Sequence, residues 1–256
     1  MIQFENVSRT YGNKVAVSGL DLEIPRGELF GLLGPNGAGK TTTIKMVVGL
    51  LRPTSGIVRV CGYDVVADTR RSNGLLGYIP DVPYLYDKLT GREFLQFVAD
   101  MYGMDGRMAS YQMARQIEQF LLQEFVDDVT ESYSHGMKQR LAFAAALVHE
   151  PAVLIVDEPM IGLDPLSVRS LKDLLRQKAA EGMTILMSTH LLSVAEEIAD
   201  RVGIVDRGRV RFLGTVAELR GMLCAENASL ERLYLDFLAS FGGFEAAGLA
   251  AQEGPT

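Results

Sequence analysis

The feature that most constrains the fold of this chain is a glycine-rich loop placed directly after a run of apolar residues. Residues 29–33 read Leu-Phe-Gly-Leu-Leu, and residues 34–42 fit the pattern G-x-x-x-x-G-K-[ST]. In such a loop the backbone N–H groups point inward at phosphates, Lys40 reaches the β- and γ-phosphates, and the Thr41 hydroxyl ligates Mg²⁺. A helix that begins near Lys40 adds the positive end of its dipole. The residues predicted to hold a nucleoside triphosphate are Gly34, Pro35, Asn36, Gly37, Ala38, Gly39, Lys40, Thr41 and Thr42.

The alternative for this loop is a glycine-rich turn that binds nothing. A buried strand before the loop and a helix after it are the context in which the pattern is specific for phosphate. We therefore favour the nucleotide site over the plain turn.

Composition narrows the class of protein further. The 256 residues carry a net charge of −7 with a pI of about 5.1, which argues against binding to nucleic acid. Cys61 and Cys224 are far apart and lack metal-ligand neighbours, as in a reducing compartment. Residues 2–9 do not resemble a signal peptide, and the uncharged residues 182–195 are too few and too polar to span a bilayer. We expect a soluble, cytoplasmic protein that can still contact a membrane protein.

The periodicity of apolar residues predicts an α/β fold whose sheet is interrupted by a helical insert. Alternating segments predict antiparallel strands at residues 2–7 and 15–24. Continuous apolar runs, typical of parallel strands covered on both faces, occur at residues 29–33, 153–156, 184–187 and 202–205. Helical patterns are predicted at residues 90–101, 111–125, 135–149 and 229–239.

Four helix starts carry capping signals. Thr90 and Thr215 each precede a glutamate by three residues, which is a capping box, and Asp164 precedes a proline. Ser134 is an N-cap whose hydroxyl, together with free N–H groups, would form an anion site. The helix that it begins would be about 22 Å long at 1.5 Å per residue. Ser134 would therefore lie well away from the phosphate loop of its own chain, although a plain helix cap is the alternative.

Chemically active residues follow two of the predicted parallel strands. Asp157 and Glu158 follow residues 153–156, and His190 follows the strand at 184–187. Because parallel strands end at one edge of a sheet, these residues are expected to meet the phosphate loop there. Asp157 fits a Mg²⁺ carboxylate, Glu158 a general base for water, and His190 a γ-phosphate contact. The alternatives are a solvated strand end for the two carboxylates and an ordinary surface histidine.

With these motifs in this order, the chain resembles the ATP-binding cassette (ABC) ATPases across about residues 2–240. The resemblance assigns Tyr11 to adenine stacking, Asp157 and Glu158 to Walker B and Asp164 to the D-loop, with His190 as the switch histidine. It implies a P-loop NTPase (RecA-like) α/β core with an N-terminal antiparallel β subdomain and an inserted α-helical subdomain. The implied single domain spans residues 1–240. Its core comprises residues 1–89 and 151–215, the helical insert comprises residues 90–150, and the C-terminal helices comprise residues 216–240. A flexible tail would follow at residues 241–256.

The same resemblance implies partners and cofactors. Residues 133–137, Tyr-Ser-His-Gly-Met, stand where the family has its signature, usually LSGGQ. Two cassettes would face head to tail around two ATP and Mg²⁺, as a homodimer or a heterodimer, and drive a separate membrane permease on the inner face of the membrane. The residues that would touch the partner's ATP are Ser134, His135, Gly136 and Met137.

Two departures from the family pattern matter. Asp81 stands near the position of the family's usual glutamine, where it either approaches Mg²⁺ or caps a turn. His135 and Met137 replace a glycine and a glutamine of the signature, whereas Ser134 and Gly136 keep the cap and the close backbone approach. Similar variants occur in a subgroup of bacterial export-type ABC ATPases.

The first hypothesis is therefore the ATPase subunit of a bacterial ABC exporter. Tyr84, Leu85 and Tyr86 would line a groove for the permease, or else pack as an ordinary loop. Four methionines of the insert would add a docking face or fill the core.

A soluble ABC mechanoenzyme that acts on ribosomes or DNA is the second hypothesis, but the chain has one phosphate loop and no heptad run or cysteine cluster. A P-loop kinase or GTPase ranks lower, since it has no use for residues 133–137. Only a transporter subunit would sediment with membranes when its permease is present.

Overall fold

The computed structural model describes residues 1–160, 162–225 and 228–240, so the predicted tail at 241–256 lies outside the described residues. The strands are β1 (Ile2–Tyr11), β2 (Lys14–Ile24), β3 (Leu29–Leu33), β4 (Ser55–Val60), β5 (Tyr63–Asp64), β6 (Leu76–Ile79), β7 (Val153–Asp157), β8 (Thr184–Thr189), β9 (Arg201–Asp206) and β10 (Arg209–Gly214). The helices are α1 (Lys40–Val47), α2 (Thr69–Asn73), α3 (Gly91–Met101), α4 (Gly106–Gln119), α5 (His135–Leu147), α6 (Pro165–Ala180), α7 (Leu192–Ile198), α8 (Val216–Met222) and α9 (Leu230–Ser240).

Within the described residues these strands form two sheets. The first is antiparallel with the order β2-β1-β4-β5, and the second has the order β10-β9-β3-β8-β7-β6. In the second sheet every neighbouring pair is parallel except β10 with β9. All residues of β3 and β7 are buried, as expected of central parallel strands covered on both faces. The predicted α/β class with an antiparallel N-terminal part is therefore confirmed.

The helical insert shares a hydrophobic core with the parallel sheet. Leu95 of α3 and Leu141 and Phe143 of α5 belong to the same buried cluster as Leu154 of β7 and Leu175 of α6. This packing sets the position of α5 relative to the strand ends. The domain boundaries inferred above remain predictions.

The predicted helix starts coincide with those in the structure. Thr90 and Thr215 both form capping boxes, and the carboxylate of Asp164 accepts hydrogen bonds from the first turn of α6. The Ser134 hydroxyl accepts a bond from the N–H of Met137 at the start of α5. Because each cap depends on residues three positions apart at most, the local sequence is enough to predict it.

Several element ends differ from the predictions. β1 continues to Tyr11 because its polar residues pair with β2 through irregular register, down to the Tyr11–Lys14 pair. The second insert helix runs over Gly106–Gln119 rather than 111–125, and α5 ends at Leu147 rather than at residue 149. The sequence interpretation also lacked β4, β5, α2 and α7, most of which are short. Among the described residues, no helix combines the length and apolar character that a membrane span requires.

Candidate nucleotide-binding site

The glycine-rich loop connects the buried strand β3 to the first turn of α1. Gly39, the N-cap residue of α1, has a φ of +115°, and a Cβ built on it would lie 2.6 Å from the carbonyl oxygen of Ala16. Only glycine fits this position without displacing the backbone of β2. Since Gly39 has no side chain to accept hydrogen bonds, the first N–H groups of α1 are available to an anion.

Lys40 lies inside this loop rather than in solvent. Its Nζ donates to the carbonyl oxygen of Gly34 at 2.6 Å and lies 3.6 Å from Oε1 of Glu158. The Lys40 side chain is only 6% exposed. A buried ammonium needs such acceptors, and phosphate oxygens are stronger acceptors than carbonyl groups. Lys40 is thus placed to exchange loop carbonyls for a bound phosphate.

The loop forms one wall of a cleft of about 640 Å³, a volume in the usual range for ligand sites. The cleft brings together most of the residues predicted to bind and hydrolyse the nucleotide. Its lining residues are Tyr11, Lys14, Ala16, Pro35, Asn36, Gly37, Gly39, Lys40, Thr41, Thr42, Asp81, Glu158 and His190. Gly34, Ala38 and Asp157 are buried behind this surface.

Glu158 is the first residue after β7 and adopts a left-handed backbone, with a φ of +49°. Its N–H donates to the carbonyl oxygen of Ser188 at 3.1 Å, which holds this unfavourable conformation. Its Oε2 accepts a hydrogen bond from the N–H of His190 at 3.2 Å and lies 2.8 Å from His190 Nδ1. Glu158 therefore lies between Lys40 and His190 at the base of the cleft.

Asp157 is buried and has one oxygen without a partner. Its Oδ1 accepts from the hydroxyl of Ser188, whereas Oδ2 has no hydrogen-bond partner among the described residues. Burial raises the pKa of Asp157, and the charge of Asp81 adds to this, while the hydroxyls of Ser188 and Thr41 oppose it. A free carboxylate oxygen beside a hydroxyl suits a hard divalent cation.

The donor set fits Mg²⁺ rather than a metal held by protein groups alone. No group of three or more His, Cys, Asp or Glu side chains converges on a metal position within the described part of the chain. Mg²⁺ usually takes one or two carboxylates and completes its shell with substrate phosphates and water. Asp157 and Thr41 are the residues that could supply such a partial shell.

Asp81 has contacts that bear on both interpretations made from the sequence, which remain predictions. Its Oδ1 accepts from the N–H of Val82 at 2.9 Å, which is the turn-cap arrangement. Asp81 also lines the cleft. Burial raises the pKa of Tyr78 to about 12, and the negative charges of Asp157 and then Asp81 add to this effect. The carboxylate is therefore near the site while one of its oxygens is bonded to the turn.

The four residues that the sequence predicts as the signature lie outside this cleft. Ser134 caps α5 with a bond of 3.3 Å from the N–H of Met137, and neither residue is among those lining the cleft. The His135 ring lies against Gly162, since a Cβ built there would be 3.1 Å from two atoms of the imidazole. Asp164 caps α6 by accepting from Leu166 N at 3.0 Å and Ser167 N at 3.1 Å.

Sequence reasoning missed several residues that shape the site. Ser188 bonds to both Asp157 and Glu158, and its only signal was its place near the end of a predicted strand. The guanidinium of Arg9 stacks 4.7 Å from the centre of the Tyr11 ring and so supports that side chain. Lys14 lines the cleft from β2.

Comparisons with known proteins show the family to which this chain belongs. The ABC transporter family model matches residues 17–161. The chain is 40% identical over 219 residues to the linearmycin resistance ATP-binding protein LnrL of Bacillus subtilis (strain 168), covering 86% of this chain and 70% of that protein. It is 40% identical over 208 residues to the Nod factor export ATP-binding protein I of Burkholderia orbicola (strain AU 1054), covering 81% of this chain and 68% of that protein.

A solved structure shows the same fold. The dimeric structure of a post-hydrolysis state of the ATP-binding cassette MJ0796, bound to ADP and Pi, aligns with a TM-score of 0.77 at 25% identity. The alignment covers 84% of this chain and 99% of that one. The family match spans more than half of the chain, and the cleft is lined by residues of the glycine-rich loop together with Asp81 and Glu158. The chain therefore belongs to the ABC transporter family and is an ATP-binding, ATP-hydrolysing protein.

Proposed function

We propose that this ATPase pairs head to tail with a second cassette around two Mg-ATP and drives a separate membrane permease that exports its substrate. The observation that carries the proposal is the distribution of the site. One cleft holds the phosphate loop, Glu158 and His190, whereas the capped tip of α5 lies outside it. Each chain would thus provide most of one ATP site and, outside that site, a helix N-terminus suited to binding an anion.

Within the cleft, the side chains have distinct proposed roles. Tyr11 stacks on the base, and Lys40 with the loop N–H groups binds the phosphates. Glu158 accepts a proton from the attacking water, and His190, whose ring is 2.8 Å from Glu158, orients that carboxylate and contacts the γ-phosphate. Asp157 and Thr41 would hold Mg²⁺, which supplies charge neutralisation at the phosphates when bound.

The partner's contribution would come from the tip of α5. Ser134 caps a 13-residue helix whose first residues do not line the chain's own cleft, and a helix N-terminus attracts anions. Ser134, His135, Gly136 and Met137 would complete the ATP bound by the other chain, with Asp164 near the dimer interface. The dimeric state of the MJ0796 cassette supports this arrangement.

The permease would dock beside the segment that follows β6. Val82, Tyr84 and Tyr86 are 71%, 85% and 50% exposed, and such clustered exposed apolar groups mark interaction surfaces. Leu85, by contrast, is 8% exposed and packs in the core, so it does not line this surface as the sequence interpretation expected. Met101 and Met108 are exposed, whereas Met113 is in the core. Binding there would place the chain on the cytoplasmic face of the membrane.

Export, rather than uptake, is supported by the relatives. LnrL is named for resistance to linearmycin, and the Burkholderia relative for Nod factor export. Moving a compound out of the cell is the transport direction that explains both names.

The decisive test is the substitution Glu158→Gln. It keeps the size of the side chain but removes the base, so we expect turnover to fall by about 10²–10⁴-fold while ATP still binds. The measurements are phosphate release at saturating Mg-ATP and the mass of the ATP-bound species by size exclusion with light scattering. A nucleotide-loaded dimer should accumulate.

The matched control is Glu181→Gln, the same chemical change at the exposed end of α6, where Glu181 bonds to Lys178. It should leave turnover unchanged. Turnover of Glu158→Gln at the wild-type rate would remove Glu158 from the role of base.

A further inference from the structure

Two side chains of α5, one helical turn apart, contact the loop that follows Glu158. The amide Nε2 of Gln139 donates to the carbonyl oxygen of Pro159, the residue directly after Glu158. The His135 ring lies against Gly162 of the same loop. Since residues i and i+4 share a helix face, both contacts are made by one side of the first turns of α5.

Gln139 is placed to act on this loop rather than on solvent. Only 6% of the residue is exposed, although polar side chains are seldom buried without a specific partner. Its acceptor is the carbonyl group of Pro159. The proline ring fixes φ, so only ψ of Pro159 can turn that carbonyl relative to the Glu158–Pro159 peptide, and the hydrogen bond from Gln139 restrains this rotation. A restraint on that carbonyl is therefore passed to the peptide that links it to Glu158.

The backbone of Glu158 requires such restraint. Its φ of +49° is unfavourable for a non-glycine residue and persists only where the surroundings hold it. Ser188 holds the N–H side of Glu158, through its carbonyl oxygen at 3.1 Å and its hydroxyl at 3.3 Å. On the other side, Gln139 donates to the carbonyl oxygen of Pro159, the residue after Glu158. Met160, the next residue of the loop, is only 3% exposed and packs in the core.

We propose that Gln139, assisted by His135, is a positioning residue that couples the tip of α5 to the conformation of Glu158 within the same chain. The inference rests on the proposed roles of Glu158 and of the α5 tip. When a partner's ATP binds at Ser134, any shift of α5 reaches Glu158 through Gln139 and Pro159. Hydrolysis in one cleft is then sensitive to occupancy of the other.

The test is the substitution Gln139→Met, which keeps the length of the side chain and removes the donor. We expect kcat for ATP hydrolysis to fall at least about tenfold, because small displacements of a catalytic group cost that much or more. The KM for ATP and the Kd of a fluorescent ATP analogue should stay within about twofold of wild type, since Gln139 is not among the residues lining the cleft. His135→Ala should give a smaller fall of the same kind.

Controls separate this coupling from general damage and from failure of the proposed function. Lys138→Ala lies on the same helix between the two residues and should hydrolyse ATP at the wild-type rate. In a Glu158→Gln background, Gln139→Met should still form the ATP-bound dimer. Gln139→Leu, which also removes the donor, serves as the second variant if Gln139→Met does not fold.

Two outcomes would overturn the coupling. One is wild-type kcat for both Gln139→Met and His135→Ala while Glu158→Gln is inactive, which would leave the proposed function intact. The other is a parallel loss of ATP affinity or of ATP-driven dimerisation for Gln139→Met, which would assign Gln139 to binding. Wild-type turnover of Glu158→Gln would instead contradict the proposed function itself.

Discussion

Two adjacent carboxylates at the end of β7 have different surroundings and therefore different chemistry. Asp157 is buried, its pKa is raised by that burial, and one oxygen lacks a protein partner. Glu158 lies in the cleft, 3.6 Å from the ammonium of Lys40 and in contact with His190. A cation would satisfy Asp157, whereas Glu158 has access to a water molecule in the cleft.

Asp81, a further carboxylate at the cleft, can be tested for a role in binding Mg²⁺. For Asp81→Ala we expect the Mg²⁺ concentration at half-maximal turnover to rise by about tenfold, because the loss of a group that supports a metal commonly costs 10–100-fold. ATP affinity without Mg²⁺ should change little. Turnover measured across a Mg²⁺ titration, and nucleotide binding in EDTA, check this.

Asp81→Asn is the matched comparison for that experiment. Its side-chain oxygen can still accept from the N–H of Val82, so it keeps the turn cap and loses only the charge. If Asp81→Asn and Asp81→Ala both show wild-type Mg²⁺ dependence, Asp81 is a turn cap alone.

At the scale of elements, α5 links the two ends of the proposed machinery. Its capped N-terminus carries the predicted signature residues, and its first turns contact the loop after Glu158. Just beyond its C-terminus, His149 stacks on Tyr102 with ring centres 3.5 Å apart and planes 9° apart. Both rings lie near β6, since the Tyr102 hydroxyl donates to the carbonyl oxygen of Leu76 at 3.1 Å.

His149 makes this junction sensitive to pH. Burial lowers the pKa of His149 to about 4, although the Leu76 carbonyl opposes that effect. The folded state therefore disfavours the protonated ring, and the unfolded chain takes up the proton below about pH 6.5. Stability from this group is present above pH 6.5 and is lost as the pH falls towards 4, by at most about 3 kcal/mol.

The corresponding variant is His149→Phe, which keeps a stacking ring that cannot titrate. Urea denaturation at pH 7 and at pH 4.5 should show that wild type loses more unfolding free energy than the variant does. The difference should be about 1–3 kcal/mol. Equal losses in the two proteins would show that His149 is not the titrating group.

At the scale of the whole molecule, a head-to-tail homodimer makes a distinctive prediction about mixtures. A chain with Lys40→Ala keeps its α5 tip, and a chain with Ser134→Arg keeps its phosphate loop. A mixed dimer then contains one site with both defects and one intact site. Because equal mixing puts about half of the chains into mixed dimers with one working site each, we expect recovery of up to about a quarter of wild-type turnover.

Each variant alone should be nearly inactive. Turnover by the mixture is measured after the chains have been purified together. Mixing Lys40→Ala with Glu158→Gln is the control, since each dimer then keeps a defect in every cleft. If the Gln139→Met experiment has excluded coupling between the clefts, no recovery in the first mixture would contradict a site shared between two copies of this chain.

The residue that illustrates the limits of the sequence best is Gln139. The sequence around Gln139 predicted a helix capped by Ser134, and the structure confirms that prediction. Nothing in the local pattern distinguished Gln139 from a solvent-facing polar residue, because its partner lies 20 positions away across the helix–loop contact. Ser188 was overlooked for the same reason, since its pairing with Asp157 depends on the register between β7 and β8.

The sequence by itself determined the phosphate loop, the helix caps and the residues that end the parallel strands. These depend on chemistry within a few residues: glycines that permit positive φ, oxygens that cap N–H groups, and apolar runs that bury both faces of a strand. Only the tertiary structure decided which of those residues touch. The register of β7 against β8, the depth of Lys40 beside Glu158, and the contact of α5 with Pro159 arise from packing between distant segments, which local propensities do not encode.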